Sequence, residues 1–171
     1  MRNDEQKQPA SAEERAALWK RLGDLKFAML TTPEADGTLT ARPMTTQQAE
    51  DGGILWFFLA ADGHLARTIA RNPRVSLTYT DNGDNFYAAL SGNAECFKDV
   101  SKARELWNTM AGAWFPGGPE DPSLALLRID VEQGDTWEAR SGKLVQFLSI
   151  AKAAVTRTPP DDPGSHRHFV A

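Results

Sequence analysis

The sequence contains little cysteine and no long apolar run. Its single cysteine, Cys96, cannot form a disulfide within the chain, which is typical of a reducing compartment. No stretch of about 18 apolar residues is present, so no segment is predicted to span a membrane. The polar start MRNDEQKQPASAEER lacks the apolar core of a secretion signal. These absences predict a cytoplasmic protein that does not associate with membranes.

Basic residues are also outnumbered. Lys and Arg total 19 against 23 Asp and Glu, and no Lys/Arg cluster with interleaved aromatic residues occurs. A general nucleic-acid-binding protein needs a basic face, so we predict no nucleic-acid partner. With 171 residues, 41% of them hydrophobic and 25% charged, the chain is long enough for one domain with a core.

The common catalytic motifs are missing. The sequence has no G-x-S-x-G, no G-x-x-x-x-G-K-[ST], no H-E-x-x-H and no C-x-x-C. Its histidines are His64, His166 and His168, and the last two lie in a polar terminal HRH that we interpret as solvated, with weak metal binding as the alternative. We therefore predict no metal site and leave the catalytic residues unknown. Any chemistry is expected to be that of a cofactor.

Strand patterns dominate the part of the sequence that is not a terminus. Alternating or continuous apolar runs predict strands at 26–32, 38–46, 54–60, 74–80, 86–97, 124–131 and 135–140. Helical spacing predicts helices after the Ser11–Glu14 capping box and at 62–73, 101–113 and 142–155. Residues 1–10 are predicted to be disordered and 158–171 to form a flexible tail. Residues 11–157 are then one α+β domain, and a barrel is the simplest arrangement of its hairpins.

Local signals refine this pattern at a few positions. Asp36-Gly37 between two strands predicts a hairpin turn, and Gly92 within a strand predicts a bulge or a close backbone approach. Trp107 and Trp114 lie seven residues apart, so in one helix both indoles would pack on the same surface of the barrel. This interpretation makes the tryptophan pair mainly architectural.

Two stretches have a structural and a functional interpretation. Pro43 interrupts a strand pattern and implies an edge or a break, and Arg42 beside it is either an exposed arginine or one aimed at an anionic or planar group. The stretch ILWFFLAADGHLARTIARNP leads an apolar strand into a helix whose free N–H groups favour anions. The alternative there is an ordinary solvated helix face.

Taken together, these stretches resemble the pyridoxamine 5'-phosphate oxidase-like split barrels, and more narrowly the general stress protein 26 type. The resemblance covers about residues 13–150 and includes KFAMLTT…DGTLTARPM, LWFFLA…ARTIARNPRVSLTY, LSGNAECFKDVSKARELW and TWEARSGKL. Its most distinctive element is W-F-P-x-G-x-x-D-P, which begins at Trp114. It implies a six-stranded antiparallel split β-barrel with peripheral helices, a homodimer, and two FMN sites at the dimer interface, with FAD as the alternative cofactor.

The resemblance also implies which residues bind the flavin. Arg42, Pro43 and Met44 would run beside the isoalloxazine ring, and the next strand end and helix start would hold the ribityl chain and the phosphate. The remaining residues implied are Phe57, Phe58, Leu59 and Ala60 at the strand end, His64, Leu65 and Arg67 at the helix start, Tyr87 and Trp137 towards the partner subunit's flavin, and Trp114 at the edge of the cleft.

The sequence departs from this family pattern at the phosphate. Relatives commonly carry Thr or Ser at the strand end and Ser plus Lys at the helix start. Here those positions are Leu59, Ala60, Gly63 and Leu65. His64 and Arg67 would have to substitute, and each charge-assisted hydrogen bond lost costs about 1.5–3 kcal/mol. The R-x-H element of true pyridoxamine phosphate oxidases is replaced by EARSGKL, which argues against oxidation of vitamin B6.

Three functions are consistent with this sequence. The first is an FMN-binding stress-response protein that acts as a flavin-dependent oxidoreductase. The second is a non-catalytic protein that binds or senses flavin. The third is a dimeric scaffold that has lost its cofactor, which the departures at the phosphate position favour.

Overall fold

The computed structural model of the chain describes residues 11–138 and 165–170. Its helices are α1 Ala12–Leu25, α2 His64–Arg71, α3 Val100–Leu106 and α4 Thr109–Trp114. Its strands are β1 Phe27–Pro33, β2 Leu39–Glu50, β3 Ile54–Ala60, β4 Arg74–Asp81, β5 Phe86–Phe97, β6 Leu124–Glu138 and β7 Ser165–Val170. The disorder predicted for 1–10 and the helix predicted for 142–155 lie outside the described residues.

The described strands form one antiparallel sheet that closes on itself. Their order is β3-β2-β1-β4-β5-β6-β7, and β3 also pairs with β6 from Ile54 opposite Asp130 to Ala60 opposite Leu124. This pairing closes β1 to β6 into a six-stranded barrel, and β7 is added to the outer end of β6. The predicted six-stranded barrel with peripheral helices is therefore confirmed. Among the described residues, no helix has both the length and the apolar character needed to cross a membrane.

Strand β6 joins the barrel to β7. Its first half pairs with β3, and from Gln133 onward the same edge pairs with β7 instead. Opposite this change of partner, the β5–β6 register shifts between Ser91 and Gly92. A side chain at Gly92 would collide with the carbonyl oxygen of Asp130. Both the bulge and the close approach predicted at Gly92 are confirmed, and the strands predicted at 124–131 and 135–140 are, within the described residues, one strand from Leu124 to Glu138.

The core has two layers because β3 is buried on both faces. Phe57 and Leu55 point into the barrel, whose end is covered by Trp19 and Leu22 of α1. Trp56 points outward into a second cluster beneath α3, which includes Leu106, Phe115 and Leu126. Burial on both sides explains why this strand reads as the continuous apolar run ILWFFLA rather than as an alternating pattern.

The helix predicted for 101–113 is two helices. Trp107 has extended backbone angles and ends α3, and the Asn108 side chain accepts a hydrogen bond from the Ala111 backbone N–H to begin α4. The two indoles therefore diverge. Trp107 contacts Phe58 of β3, with ring centroids 5.9 Å apart, so the predicted packing of this indole on the barrel is confirmed. The packing predicted for Trp114 is wrong, because its side chain is 79% exposed.

The flexible tail predicted for 158–171 is wrong for Ser165–Val170, which form β7. The alternation of HRHFV turns Phe169 inward, where it is buried and meets the Trp19 ring edge-on at 5.9 Å. Arg167 on the same strand pairs with Glu14 of α1. The polar composition of the tail hid one apolar side chain, Phe169, which is buried where the strand pairs with β6.

Candidate functional site

An acidic side chain joins β1, β2 and α2 at one corner of the barrel. Glu34 Oε2 lies 2.9 Å from His64 Nε2, and Glu34 Oε1 lies 3.5 Å from Arg42 Nη2. The buried Thr68 hydroxyl lies 3.4 Å from the same Oε2 atom. We call Glu34, Arg42, His64 and Thr68 the anion corner. Two cationic or ionisable side chains thus converge on one carboxylate.

The β1–β2 hairpin fixes Glu34 in this position. Its backbone N–H donates to the Thr38 carbonyl at 2.8 Å, and the Gly37 N–H donates back to the Glu34 carbonyl at 3.0 Å. Gly37 adopts a φ of +85°, which a glycine accepts without strain. The Asp36-Gly37 turn predicted from the sequence is confirmed, and it is this turn that brings Glu34 over the start of α2.

The environment of Glu34 keeps it ionised. Burial alone would raise the pKa of Glu34, but hydrogen bonds from His64, Thr40 and Thr68 and the charge of His64 lower it overall. The corner therefore holds a carboxylate anion within the protein itself. Guanidinium and imidazole donors beside a helix start are also the usual ligands of a phosphate group.

The structure brings together two of the residues predicted to bind flavin. Arg42 and His64 come from different elements and meet at Glu34. Arg67 does not join them, because its guanidinium donates to the Asp62 backbone carbonyl. Leu65 is partly buried against the barrel core, where it offers no polar group.

The predicted strand residues face in different directions. Met44 points inward against the barrel core, whereas its neighbour Pro43 is exposed on the outside. Phe57 and Leu59 are buried in the barrel core. The two remaining predicted residues of β3 lie elsewhere: Phe58 packs on Trp107 and Phe115, and Ala60 is exposed just before α2.

Large apolar side chains lie on the outside of two strand pairs, β1–β2 and β5–β6, which β4 separates. Phe27 and Met29 of β1 are 58% and 42% exposed, and Tyr87 of β5 and Trp137 of β6 are 42% and 41% exposed. Met29 lies opposite Pro43 of β2, and Tyr87 lies opposite Trp137. We call Phe27, Met29, Pro43, Tyr87 and Trp137 the outer apolar face. Among these, Pro43, Tyr87 and Trp137 belong to the residues predicted to bind flavin.

Strand β7 adds polar residues beside this face that sequence reasoning missed. His166 Nε2 and His168 Nδ1 lie 3.0 Å and 3.1 Å from Asp135 Oδ1. The His166 ring also stacks on Trp137, with centroids 5.0 Å apart and planes 4° from parallel. In residues 11–138 and 165–170, no group of three or more His, Cys, Asp or Glu side chains is arranged to hold a metal ion. The alternation in HRHFV was the available signal for this strand.

Glu34 and Thr68 of the anion corner were also missed. An acidic residue before an Asp-Gly turn is common on protein surfaces, so composition alone does not distinguish Glu34. A cavity of about 190 Å³ lies elsewhere, between α1 and the end of β6, and is lined by Leu18, Arg21 and Phe86 among others. It contains none of the residues predicted to bind flavin.

Comparison with known proteins agrees with this architecture. The family model described as Pyridoxamine 5'-phosphate oxidase like matches residues 13–161. A protein assigned as general stress protein 26 from Jannaschia sp. CCS1 is 31% identical, with a TM-score of 0.72, and the alignment covers 94% of this chain and 100% of that one. The general stress FMN/FAD binding protein of Xanthomonas citri is 34% identical, with a TM-score of 0.67 and coverages of 77% and 93%.

A third solved structure is similar. A protein assigned to the general stress family from Xanthomonas campestris pv. campestris is 34% identical, with a TM-score of 0.67, and the alignment covers 78% of this chain and 92% of that one. Among proteins with a curated description, none matches the sequence.

Proposed function

The chain belongs to the pyridoxamine 5'-phosphate oxidase like family, and from this premise we propose that it is a cytoplasmic, homodimeric stress protein that binds flavin. The observation that carries the proposal is the convergence of Arg42 and His64 on one anion beside the start of α2. The 34% identity to the general stress FMN/FAD binding protein of Xanthomonas citri supports a flavin as the ligand. Of FMN and FAD, FMN is the form we expect.

The donor set suits the phosphate of a flavin. Arg42 supplies a guanidinium and His64 an imidazole, and α2 begins at His64 after Gly63, which provides no side-chain cap. A phosphate monoester favours charged donors and helix N-termini of this kind. The positions of Leu59, Ala60 and Leu65 add no hydroxyl or ammonium group. We therefore expect FMN to bind with micromolar affinity or weaker.

A second copy of the chain is the partner that we propose for the outer apolar face. Phe27 and Tyr87 are each more than two-fifths exposed, and several large exposed apolar side chains on the outside of one sheet favour an interaction site. In the dimer, Pro43 and Met29 would offer apolar contact to the flavin ring, while Arg42 and His64 hold its phosphate. A bound flavin would supply hydride or single-electron transfer, and the protein would bind and orient it.

Titration of the purified protein with FMN, followed by quenching of flavin fluorescence, tests the proposal. We expect quenching with micromolar affinity or weaker, and an Arg42→Ala variant that binds about tenfold or more weakly, as the loss of one charge-assisted hydrogen bond predicts. The same variant should sediment as a dimer. Absence of quenching even with a large excess of protein would overturn flavin binding.

A flavin-dependent oxidoreductase is the second candidate, favoured by one observation. His166 contacts Asp135 and stacks on Trp137, so an ionisable ring lies at the edge of the outer apolar face. An imidazole in this position can exchange protons with a neighbouring ligand. Adding reduced nicotinamide to the flavin-loaded protein without oxygen distinguishes the candidates. Bleaching of the flavin absorption supports a reductase, and an unchanged spectrum supports a protein that only binds flavin.

A further inference from the structure

We propose that Glu34 determines which flavin the chain accepts, because its carboxylate occupies the donors that a phosphate monoester would use. The site should then bind riboflavin about as well as FMN. This inference rests on the proposed function, since it concerns the same anion corner. It assigns to Glu34 a role in specificity rather than in chemistry.

The contacts of Glu34 use both of its carboxylate oxygens. Oε1 faces the Arg42 guanidinium and Oε2 faces the His64 ring and the Thr68 hydroxyl. The side chain is only 17% exposed, and the hairpin hydrogen bonds hold its backbone. A phosphate that reaches Arg42 and His64 must therefore displace this carboxylate or share its donors with it.

The charges at the corner make sharing unfavourable. Arg42 contributes one positive charge and Glu34 one negative charge, so these two side chains cancel before any ligand arrives, and His64 adds a positive charge only when it is protonated. A phosphate monoester adds a charge of about −1.5 to −2 near neutral pH. Like charges within a few ångströms of each other oppose binding. Riboflavin ends in a neutral hydroxyl and meets no such repulsion, and FAD carries one charge on each esterified phosphate.

The nearby cation that could offset a second anion is directed elsewhere. Arg67 lies in the first turn of α2, but its guanidinium is held by the backbone carbonyl of Asp62. Leu65, at the same helix start, packs towards the core and carries no charge. Apart from the ionisable His64 ring, the corner therefore gains no positive charge from the start of α2, and Glu34 remains the group that decides the balance of charge.

The experiment compares the dissociation constants of riboflavin, FMN and FAD for the full chain and for Glu34→Gln, by quenching of flavin fluorescence. The substitution keeps the shape of the side chain and removes its charge. Glu105→Gln is the matched control: Glu105 of α3 also pairs with a cation, Lys102, at 2.8 Å, outside the anion corner. Thermal melts establish that each variant is folded.

The expected result is a change in preference rather than in overall affinity. For the natural chain, the riboflavin and FMN constants should agree within about threefold, and Glu34→Gln should raise the preference for FMN by about tenfold, which is about 1.4 kcal/mol. Glu105→Gln should leave the ratio unchanged. If Glu34→Gln raises the FMN preference by less than about threefold, well under 1 kcal/mol, the inference is wrong while flavin binding stands. If no flavin binds either protein, the proposed function itself fails.

A second measurement needs no flavin. Inorganic phosphate is titrated into each protein while the ring protons of His64 are followed by NMR, with His64→Gln to assign the signal. In Glu34→Gln, phosphate should shift this signal at a concentration at least about fivefold lower than in the natural chain, which is a difference of about 1 kcal/mol or more. Equal concentrations would contradict the role of Glu34 even if the flavin result were favourable.

Discussion

At the scale of single residues, the barrel interior contains a polar pair as well as apolar side chains. Tyr79 is completely buried on β4, and its hydroxyl lies 2.7 Å from that of Thr46 on β2. Burial raises the pKa of Tyr79 to about 12, although the hydrogen bond with Thr46 acts in the opposite direction. The two hydroxyl groups are hydrogen-bonded to each other in a part of the core that water does not reach.

Tyr79→Phe should lower the free energy of unfolding by about 1–3 kcal/mol, because it leaves the buried Thr46 hydroxyl without its partner. The pKa of the phenol is raised on folding from its ordinary value of 10.0, so its contribution is fully present below pH 10 and is lost as the pH rises towards 12. Denaturant unfolding between pH 8 and about pH 12 measures both effects. A Tyr79→Phe variant with the same alkaline loss of stability as the natural chain would contradict this assignment.

Residue-level contacts were the least predictable feature of the chain. Arg42 was a candidate ligand of an anionic or planar group because of its place beside Pro43, and His64 was a candidate anion ligand because a helix start suits phosphate. Their shared partner could not be predicted, since Glu34 reaches them only through the conformation of the β1–β2 turn. The direction of each β2 side chain likewise depends on the register of the strand, which the pattern of apolar and polar residues in β2 does not determine.

At the scale of elements, β7 contacts both the barrel and α1. Its Phe169 side chain meets Trp19 of α1, and its backbone pairs with β6 over residues 133–138. The same Phe169 ring lies against Gly134, where a larger residue would collide with it. Two elements that are far apart in sequence, α1 and β7, therefore meet through this aromatic contact and through the pair Arg167 and Glu14.

Phe169→Ala should destabilise the fold by about 3–5 kcal/mol, the usual cost of removing a buried phenyl ring. For a chain of this length the melting temperature should fall by about 6–20 °C. Val170→Ala is the control, because Val170 is 68% exposed on the same strand, and surface changes of this kind usually cost less than about 0.5 kcal/mol. Equal melting temperatures for the two variants would mean that β7 adds no stability.

Most helices and strands could be predicted from the pattern of apolar and polar residues. The two predictions that failed, the single helix and the tail, depend on features that this pattern does not contain. Strands such as β4 alternate between apolar and polar residues, and β3 is apolar throughout because helices cover its outer side. The prediction of one helix over 101–113 failed because Asn108 competes with the backbone and starts a new helix. The tail prediction failed because composition averages over a segment, whereas a strand can dock through one side chain.

At the scale of the whole molecule, the closed barrel removes most strand edges but leaves the outer apolar face uncovered. Met29 is 42% exposed at the centre of β1, between Pro43 of β2 and Thr78 of β4. Water contact with this surface is unfavourable, and a second copy would remove it. The proposed dimer and the proposed flavin site thus depend on the same surface.

Met29→Lys should convert the proposed dimer to a monomer, because a lysine ammonium at the centre of an apolar interface loses its water without gaining a partner. Sedimentation velocity at micromolar protein concentration measures the change, and flavin affinity should fall with it. Met110→Lys is the control, since Met110 is 50% exposed on α4, which lies outside this face. A Met29→Lys variant that remains dimeric would place the interface on another surface.

The contact between Trp19 and Phe169 also bears on how the chain is made. A ribosome adds about 5–20 residues per second, so Trp19 is synthesised roughly 7 to 30 s before its aromatic partner. Until Phe169 is made, the nascent chain lacks the ring that contacts the edge of the Trp19 indole. The contact between α1 and β7 therefore forms only after β1 to β6 have all been synthesised.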